Sequence, residues 1–343
     1  MFYNYSRILI LLLLFISSFK DNSFAQATSI LSRFTFLKTD FDTAFIHTTK
    51  ARWQVNLYLA TKGNNFTNNA GSTNEVVDFY PASSFSLGGG GSYKNFGLSY
   101  GFNLTSTKTD SGKLSRGLSF LSSVYAGQHV FDFGFQATSG YFATGYNKTE
   151  MQQQTLYKND LTNISFFANY LYNFNYKKFS FNAAFTGSQK QMKSAGGPLA
   201  GIFLSYFDLH ANDAIVPAKF VDSITIKNQI SEANILSTGL LAGYAYTFVL
   251  PGKFYLTLSL APGLAFNVGE VKSDVYYNIG NPFTVSYKLI SREAIGHNAG
   301  KRFYTYIAFF SDRTWLALNN KNSKETFNNH SGTFKWLVGF RFN

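Results

Sequence analysis

The stretch SGTFKWLVGFRFN, residues 331–343, alternates between two kinds of residue without interruption from Phe334 onward. A repeat of two residues is the period of a β-strand, whose successive side chains point to opposite faces. One face would carry Phe334, Trp336, Val338, Phe340 and Phe342, and the other Lys335, Leu337, Gly339 and Arg341.

Such a strand raises two problems at the edge of a sheet. Its apolar face and its unpaired backbone N–H and C=O groups would promote aggregation of a soluble protein. In a closed barrel within lipid, the apolar face meets acyl chains and the first strand pairs with the edge. We therefore predict an all-β fold, an antiparallel transmembrane β-barrel of a Gram-negative outer membrane, in which residues 334–342 form the closing strand.

The amino-terminal residues have the order of a secretory signal peptide. Arg7 precedes an apolar run from Ile8 to Ile16, and small residues follow up to Ala25. We predict a signal peptide over residues 1–25, a periplasmic lead-in over residues 26–50 and the barrel over residues 51–343. The chain has no cysteine, which excludes disulfides and lipidation on sulfur.

Composition favours a barrel over an ordinary soluble domain. Charged residues make up 14% of the chain, against roughly 25% in an average domain, while Phe and Tyr number 38 and 22. The mean hydropathy is nevertheless near zero, at -0.08. Strands that are apolar on one face only explain both values. An exported chain rarely meets nucleic acid, so the net charge of +12 favours lipid phosphates or an anionic permeant instead.

Alternating segments recur along residues 51–343 and are joined by short and long connections in turn. The long polar connections, which we predict as loops, include residues 62–78, 143–160 and 210–233. Short turns on one side and long polar loops on the other are typical of outer-membrane barrels. The pattern predicts about twelve strands. That count requires residues 179–209 to cross the membrane once, so we interpret Lys193 to Pro198 as a bulge or an inward kink.

Several motifs in this order resemble a known family. The segments are Asn175 to Ser180, Lys193 to Gly196, Ala242 to Pro251 and Gly339 to Phe342. Together they resemble the exported-barrel family called domain of unknown function 4421, over roughly residues 40 to 343. The resemblance implies an outer-membrane barrel, and it brings no substrate and no catalytic residue.

The inward faces contain the candidate functional residues. On the predicted alternation, six basic side chains point into the lumen: Arg52, Lys190, Lys288, Arg292, Lys335 and Arg341. Facing a narrow polar lumen, such charges are poorly screened and would attract anions. Alternatively, they pair with the few inward acids, such as Asp132, and fill the lumen.

Catalysis has less support in the sequence. None of the five histidines lies within metal-ligand spacing of another, and no cysteine is available, so we predict no metal site and no cofactor. Asp208, His210 and Asp213 cluster near the end of one predicted strand, with Ser205 as the nearest nucleophile. Polar residues at a strand rim are common, and we nominate no catalytic residue.

Three hypotheses about function follow. The first is a passive, porin-like outer-membrane pore with a weak anion preference. The second is a closed structural or surface-recognition barrel that acts through its long extracellular loops, and the third is a barrel enzyme. The expected partners are outer-membrane lipid, lipopolysaccharide and the barrel assembly machinery. The assembly machinery would recognise the closing strand. No nucleic acid is expected, and the sequence identifies no small-molecule or protein ligand.

Overall fold

The structure is a computed structural model that describes residues 40–49, 53–70, 75–81, 84–93, 96–106, 115–147, 150–220, 230–273, 283–298, 300, 302–319 and 324–342. The predicted signal peptide, most of the predicted lead-in and Arg52 lie outside the described residues.

The described chain is almost entirely β-strand. One short helix, α1 (Phe181–Phe185), interrupts the series. The strands are β1 (Ile46–Thr48), β2 (Trp53–Ala70), β3 (Glu75–Tyr80), β4 (Ser84–Tyr93), β5 (Phe96–Ser106), β6 (Arg116–Ala126), β7 (His129–Asn147), β8 (Gln152–Asn173), β9 (Gln189–Gln191), β10 (Ala195–His210), β11 (Ile230–Leu250), β12 (Phe254–Ser273), β13 (Thr284–His297), β14 (Phe303–Asn319) and β15 (Lys324–Phe342).

The sheet closes on itself through its first long strand and its last. β15 pairs antiparallel with β2 along their whole lengths, from Phe342 opposite Trp53 to Glu325 opposite Ala70. The predicted all-β antiparallel barrel and its closure by residues 334–342 are therefore confirmed. We call the end that holds Trp53 and Phe342 the near end, and the opposite end the far end.

The number of strands around the barrel differs between its two ends. Among the described residues, β2 pairs with β4 over Trp53–Thr61 and with β3 over Phe66–Ala70. Near-end pairing passes from β2 through β4, β5 and β6 to β7, whereas far-end pairing passes through β3 alone. The circuit through β4, β5 and β6 contains twelve strands and the circuit through β3 contains ten. A single strand count therefore does not describe this wall.

An apolar band surrounds the outside of the barrel. On β12 the outward side chains from Phe254 to Val268 are all apolar, and they give way to Glu270 and Lys272 toward the far end. Leu57, Leu240 and Tyr287 are between 52% and 66% exposed, as are other residues of this band. On the closing strand, Phe334, Trp336, Phe340 and Phe342 belong to the band, and Val338 is partly exposed on the same face.

The far ends of the strands are polar, and the sequence analysis interpreted them as loops. Residues 62–70 continue β2, residues 143–147 continue β7, and residues 152–160 begin β8. These segments are rich in Asn, Gln and Thr. Because they lie beyond the apolar band, neither face needs to be apolar, and the alternation that identifies a strand disappears.

The predicted inward kink exists, but it lies earlier in the chain. Residues 179–191, which include α1 and β9, leave the wall between β8 and β10 and pack inside the barrel, while residues 195–198 already belong to β10. We call residues 179–191 the plug. β9 pairs there with β1, so the end of the predicted lead-in packs against the plug. In the described part of the chain, no helix is long and apolar enough to cross a membrane.

Candidate functional site: the filled lumen

Hydrogen bonds from the wall to backbone carbonyls hold the plug in place. Tyr255 Oη donates to Ala184 O at 2.9 Å, and Tyr306 Oη donates to Phe185 O at 2.7 Å. In the opposite direction, Asn182 Nδ2 of the plug donates to the Tyr125 carbonyl of the wall at 2.6 Å. These contacts provide partners for backbone groups that a five-residue helix leaves unpaired.

Two of the predicted basic residues, Arg341 and Lys190, form hydrogen bonds at the near end of the barrel instead of lining an ion path. Arg341 Nε donates to Gly187 O at 2.5 Å, and its Nη2 donates to Asn298 Oδ1 at 2.7 Å. The sequence pattern placed Lys190 on a wall strand, but in the structure it lies in the plug. Its Nζ donates to Gly300 O at 2.7 Å. Gly187 has a φ of +73°, a conformation that favours glycine. Both cations therefore anchor the plug.

Ion pairs occupy the middle of the lumen. Arg292 pairs with Asp132, and Lys288 pairs with Asp312. Asp132 also accepts from Ser123 Oγ at 2.6 Å, and Asp312 accepts from Asn169 Nδ2 at 3.0 Å. Lys288 and Arg292 thus point into the lumen and pair with carboxylates, which is the alternative to free, anion-attracting charges that the sequence left open. Asp132 lies 160 residues from Arg292 in the chain, and the barrel brings the two together across its interior. Lys288 and Asp312 instead lie on the neighbouring strands β13 and β14.

Lys335 is the predicted basic residue with a different environment. Its Nζ lies 5.1 Å from the ring centre of Tyr58, 5.5 Å from that of Phe310 and 5.9 Å from that of Tyr306. Among the described residues, no carboxylate forms an ion pair with it. Its side chain borders a cavity of about 90 Å³, partly open to solvent, that also contacts Lys62, Asp132, Arg292 and Asp312. We call this cavity the chamber.

A second apolar cluster fills the lumen beyond the chamber. The rings of Phe66 and Phe79 stack at 4.4 Å, and Phe207 packs edge-on against Phe66 at 6.1 Å. Ile215 and Phe220, from the connection between β10 and β11, are buried in the same cluster. We call residues 211–220 together with this cluster the cap. The chamber thus lies between the plug at the near end and the cap at the far end.

The connection within the cap is fixed to the neighbouring strand. Lys158 Nζ donates to Ala214 O at 2.8 Å, and Asp160 Oδ2 accepts from the backbone N–H of Asn212 at 3.1 Å. Lys158 and Asp160 are themselves 3.3 Å apart. These bonds hold one connection against the barrel mouth, in contrast to the free polar loop that the sequence predicted there.

The polar residues considered as a catalytic cluster do not converge. Ser205 is directed inward, where its Oγ accepts from Lys288 Nζ at 3.1 Å, whereas His210 lies on the outward face of the same strand. His210 Nδ1 lies 3.3 Å from Glu232 Oε1. A hydrogen bond from Lys272 lowers the pKa of Glu232, which remains a carboxylate at this outer rim. A serine and a histidine on opposite faces of a wall cannot act as nucleophile and base.

Several residues that line the chamber or hold the plug were not among those predicted from the sequence. Asp312, Asn169 and Lys62 border the chamber, and Tyr255 and Tyr306 hold the plug. Their inward positions follow from strand alternation, but their partners do not. Among the described residues, no group of three His, Cys, Asp or Glu side chains is placed to hold a metal ion.

Together these features define a closed antiparallel β-barrel with an apolar outer band and a filled lumen. The chain belongs to the family described as Domain of unknown function (DUF4421), which matches residues 40–342. This confirms the resemblance found in the sequence motifs. A comparison with curated proteins found no match.

The chain also resembles several solved structures at low sequence identity. The outer membrane protease OmpT from Escherichia coli is 9% identical, with a TM-score of 0.39 over 90% of this chain and 100% of that one. The β domain of the Bordetella autotransporter BrkA is 9% identical, with a TM-score of 0.33 over 84% and 99% of the two chains. The Pseudomonas putida toluene transporter TodX is 8% identical, with a TM-score of 0.27 over 86% and 91%.

Proposed function

We propose that this protein is an outer-membrane channel for small anions that is closed at rest by the plug and the cap. The observation that carries the proposal is a chamber with a basic charge balance that lies between two apolar layers. A purely structural barrel gains nothing from a hydrated, charged chamber at its centre, because burying charge is costly. A channel that admits a solute in steps needs such a compartment.

The outward apolar band supports the proposed location in the outer membrane. Exposed apolar surface of this extent is rare on soluble monomers, and alternating strands with an apolar outer face suit a lipid bilayer. The band would contact lipid and, in the outer leaflet, lipopolysaccharide. The barrel assembly machinery would engage the closing strand, residues 334–342. The proposal assigns the chain no reaction.

The passive pore predicted from the sequence has less support than a gated one. Arg292 and Lys288 are paired with carboxylates, and Arg341 and Lys190 are bound to the near-end backbone. This leaves Lys62 and Lys335 as the cations without carboxylate partners among the described chamber-lining residues. The anion preference would appear once the two gates open.

Single-channel recording in planar bilayers tests the gates with four proteins. These are the wild type, a variant with residues 180–190 replaced by a Gly/Ser linker of equal length, the variant Ile215→Ser/Phe220→Ser, and the combination. We expect the wild type to be silent, because an apolar constriction excludes water and ions. The combination should show steady openings with anion preference, and each single change should open rarely.

The same recordings address a second candidate function. The clamped connection at residues 211–220 and the polar strand ends beyond the band favour a closed barrel that recognises a partner at its far end. A combined variant that retains heat-modifiable migration on gels, and therefore a folded barrel, but never conducts would contradict the channel and favour this alternative.

A further inference from the structure

We infer that the chamber is a binding site for a small organic monocarboxylate. The inference rests on the proposed function for the role of that solute, but the site itself is argued from its charge, its lining and its access. Nothing in the plug or the cap is needed for the binding chemistry.

The charge balance of the chamber favours an anion. Its lining includes the cations Lys62, Arg292 and Lys335 and the carboxylates Asp132 and Asp312. Asp132 is paired with Arg292, and Asp312 is paired with Lys288, which lies outside the lining. Two ammonium groups therefore have no carboxylate partner among the described residues. A cation held away from bulk water is stabilised by an anion, since its desolvation is otherwise uncompensated.

One cation offers its donors to this space. The guanidinium of Arg292 is 3% exposed and already paired with Asp132, so the available donor is the ammonium group of Lys335. Lys335 Nζ contacts aromatic rings, an arrangement that stabilises a cation but leaves its N–H groups available. A carboxylate has two oxygens that accept such donors through charge-assisted hydrogen bonds.

The remaining lining indicates that the anion has an apolar body. Tyr58, Phe167 and Phe310 supply aromatic surface, and Leu121 and Ile290 supply aliphatic surface. The ring of Tyr58 is fixed by Gly88, where any Cβ would overlap its hydroxyl end. An inorganic anion would leave this surface without a partner. A flat or short-chain carboxylate would use both the cations and the rings.

A path to the chamber passes Lys62. A second cavity, of about 40 Å³, shares Lys62 with the chamber and reaches the exposed Arg116. It lies where β2 changes partner: residues 62–65 fall between the segments that pair with β4 and β3. Lys62 Nζ reaches across to Ser119 Oγ of β6 at 2.6 Å. A basic route into the chamber suits an anionic solute.

Isothermal titration of the detergent-purified full-length barrel tests this site, with benzoate as the probe and benzyl alcohol as its neutral analogue. We expect saturable benzoate binding and at least about tenfold weaker binding of benzyl alcohol, the loss of one charge-assisted contact. Lys335→Met should weaken benzoate binding by about tenfold or more, and Lys335→Arg should largely preserve it. Lys272→Met, which removes a cation from the outer rim, is the matched control and should change nothing.

Three outcomes would overturn the inference: no saturable benzoate binding, equal binding of the alcohol, or displacement of benzoate by chloride at equal concentration. Circular dichroism and heat-modifiable migration verify that each variant is folded. Failure of this site and failure of the gated channel are separable. A barrel that binds benzoate but never conducts retains the site, and one that conducts without binding retains the channel.

Discussion

Replacing Asp132 by alanine will lower the free energy of unfolding by about 3–5 kcal/mol. The side chains of Asp132 and Arg292 are 9% and 4% exposed, so the substitution leaves a guanidinium buried without its counter-ion. Ser123 also loses its carboxylate acceptor. Urea titration of the barrel refolded into lipid vesicles, followed by heat-modifiable gel migration, measures the change.

Two further variants separate the loss of a counter-ion from general damage. Glu232→Ala disrupts an exposed pair with Lys272 and should cost about 1 kcal/mol or less. Adding Arg292→Met to Asp132→Ala removes the uncompensated charge and should restore most of the lost stability. A cost for Asp132→Ala no larger than that for Glu232→Ala would contradict the buried pair.

Leu57→Arg will destabilise the barrel in lipid by about 2–4 kcal/mol. Leu57 is 66% exposed in the centre of the apolar band on β2, so the arginine would lie among acyl chains. Asn65→Arg, on the same face of the same strand but beyond the band, is the matched control and should cost little. The same urea titration compares them.

The comparison of Leu57 with Asn65 also locates the bilayer along β2. Equal costs for the two substitutions would mean that lipid does not distinguish the band from the polar strand ends. The outer-membrane placement would then lose its main support. A difference of the same size in lipid-free aqueous buffer would likewise indicate that the cost does not come from contact with lipid.

Alternation was sufficient to predict the wall wherever one face is apolar. Phe334, Trp336, Phe340 and Phe342 lie on the outward face as predicted, and the strand that bears them closes the barrel. The rule failed at residues 62–70, where Asn-rich β2 continues beyond the band. The inward residues Asn64, Phe66 and Asn68 of this segment are buried, but two of the three are polar. The apolar periodicity is therefore lost, and the composition resembles that of a loop.

The contacts that fill the lumen could not be predicted from the sequence. The inward direction of Arg292 and Asp132 was predicted, and their pairing was left as one of two alternatives. Deciding it requires the relative position of residues that lie 160 apart in the chain, which depends on the whole circuit of strands. The sequence predicted a kink at Lys193 to Pro198 but not the plug that precedes it. Phe181 and Phe185 fit an apolar helix face as well as a strand, so their pattern does not distinguish the two.

Residues 179–191, the plug, fill the near end of the lumen. The wild-type chain contains no cysteine, so a single introduced thiol reports on its own position. Ala184 in α1 is 1% exposed, whereas Met192, directly after the plug, is 53% exposed. Ala184→Cys and Met192→Cys therefore form a matched pair for labelling of the folded barrel by a bulky maleimide.

We predict that Met192→Cys is labelled in the folded barrel and that Ala184→Cys is labelled only after heat unfolding. Equal labelling rates at the two positions, in protein that still shows heat-modifiable migration, would contradict a plugged lumen.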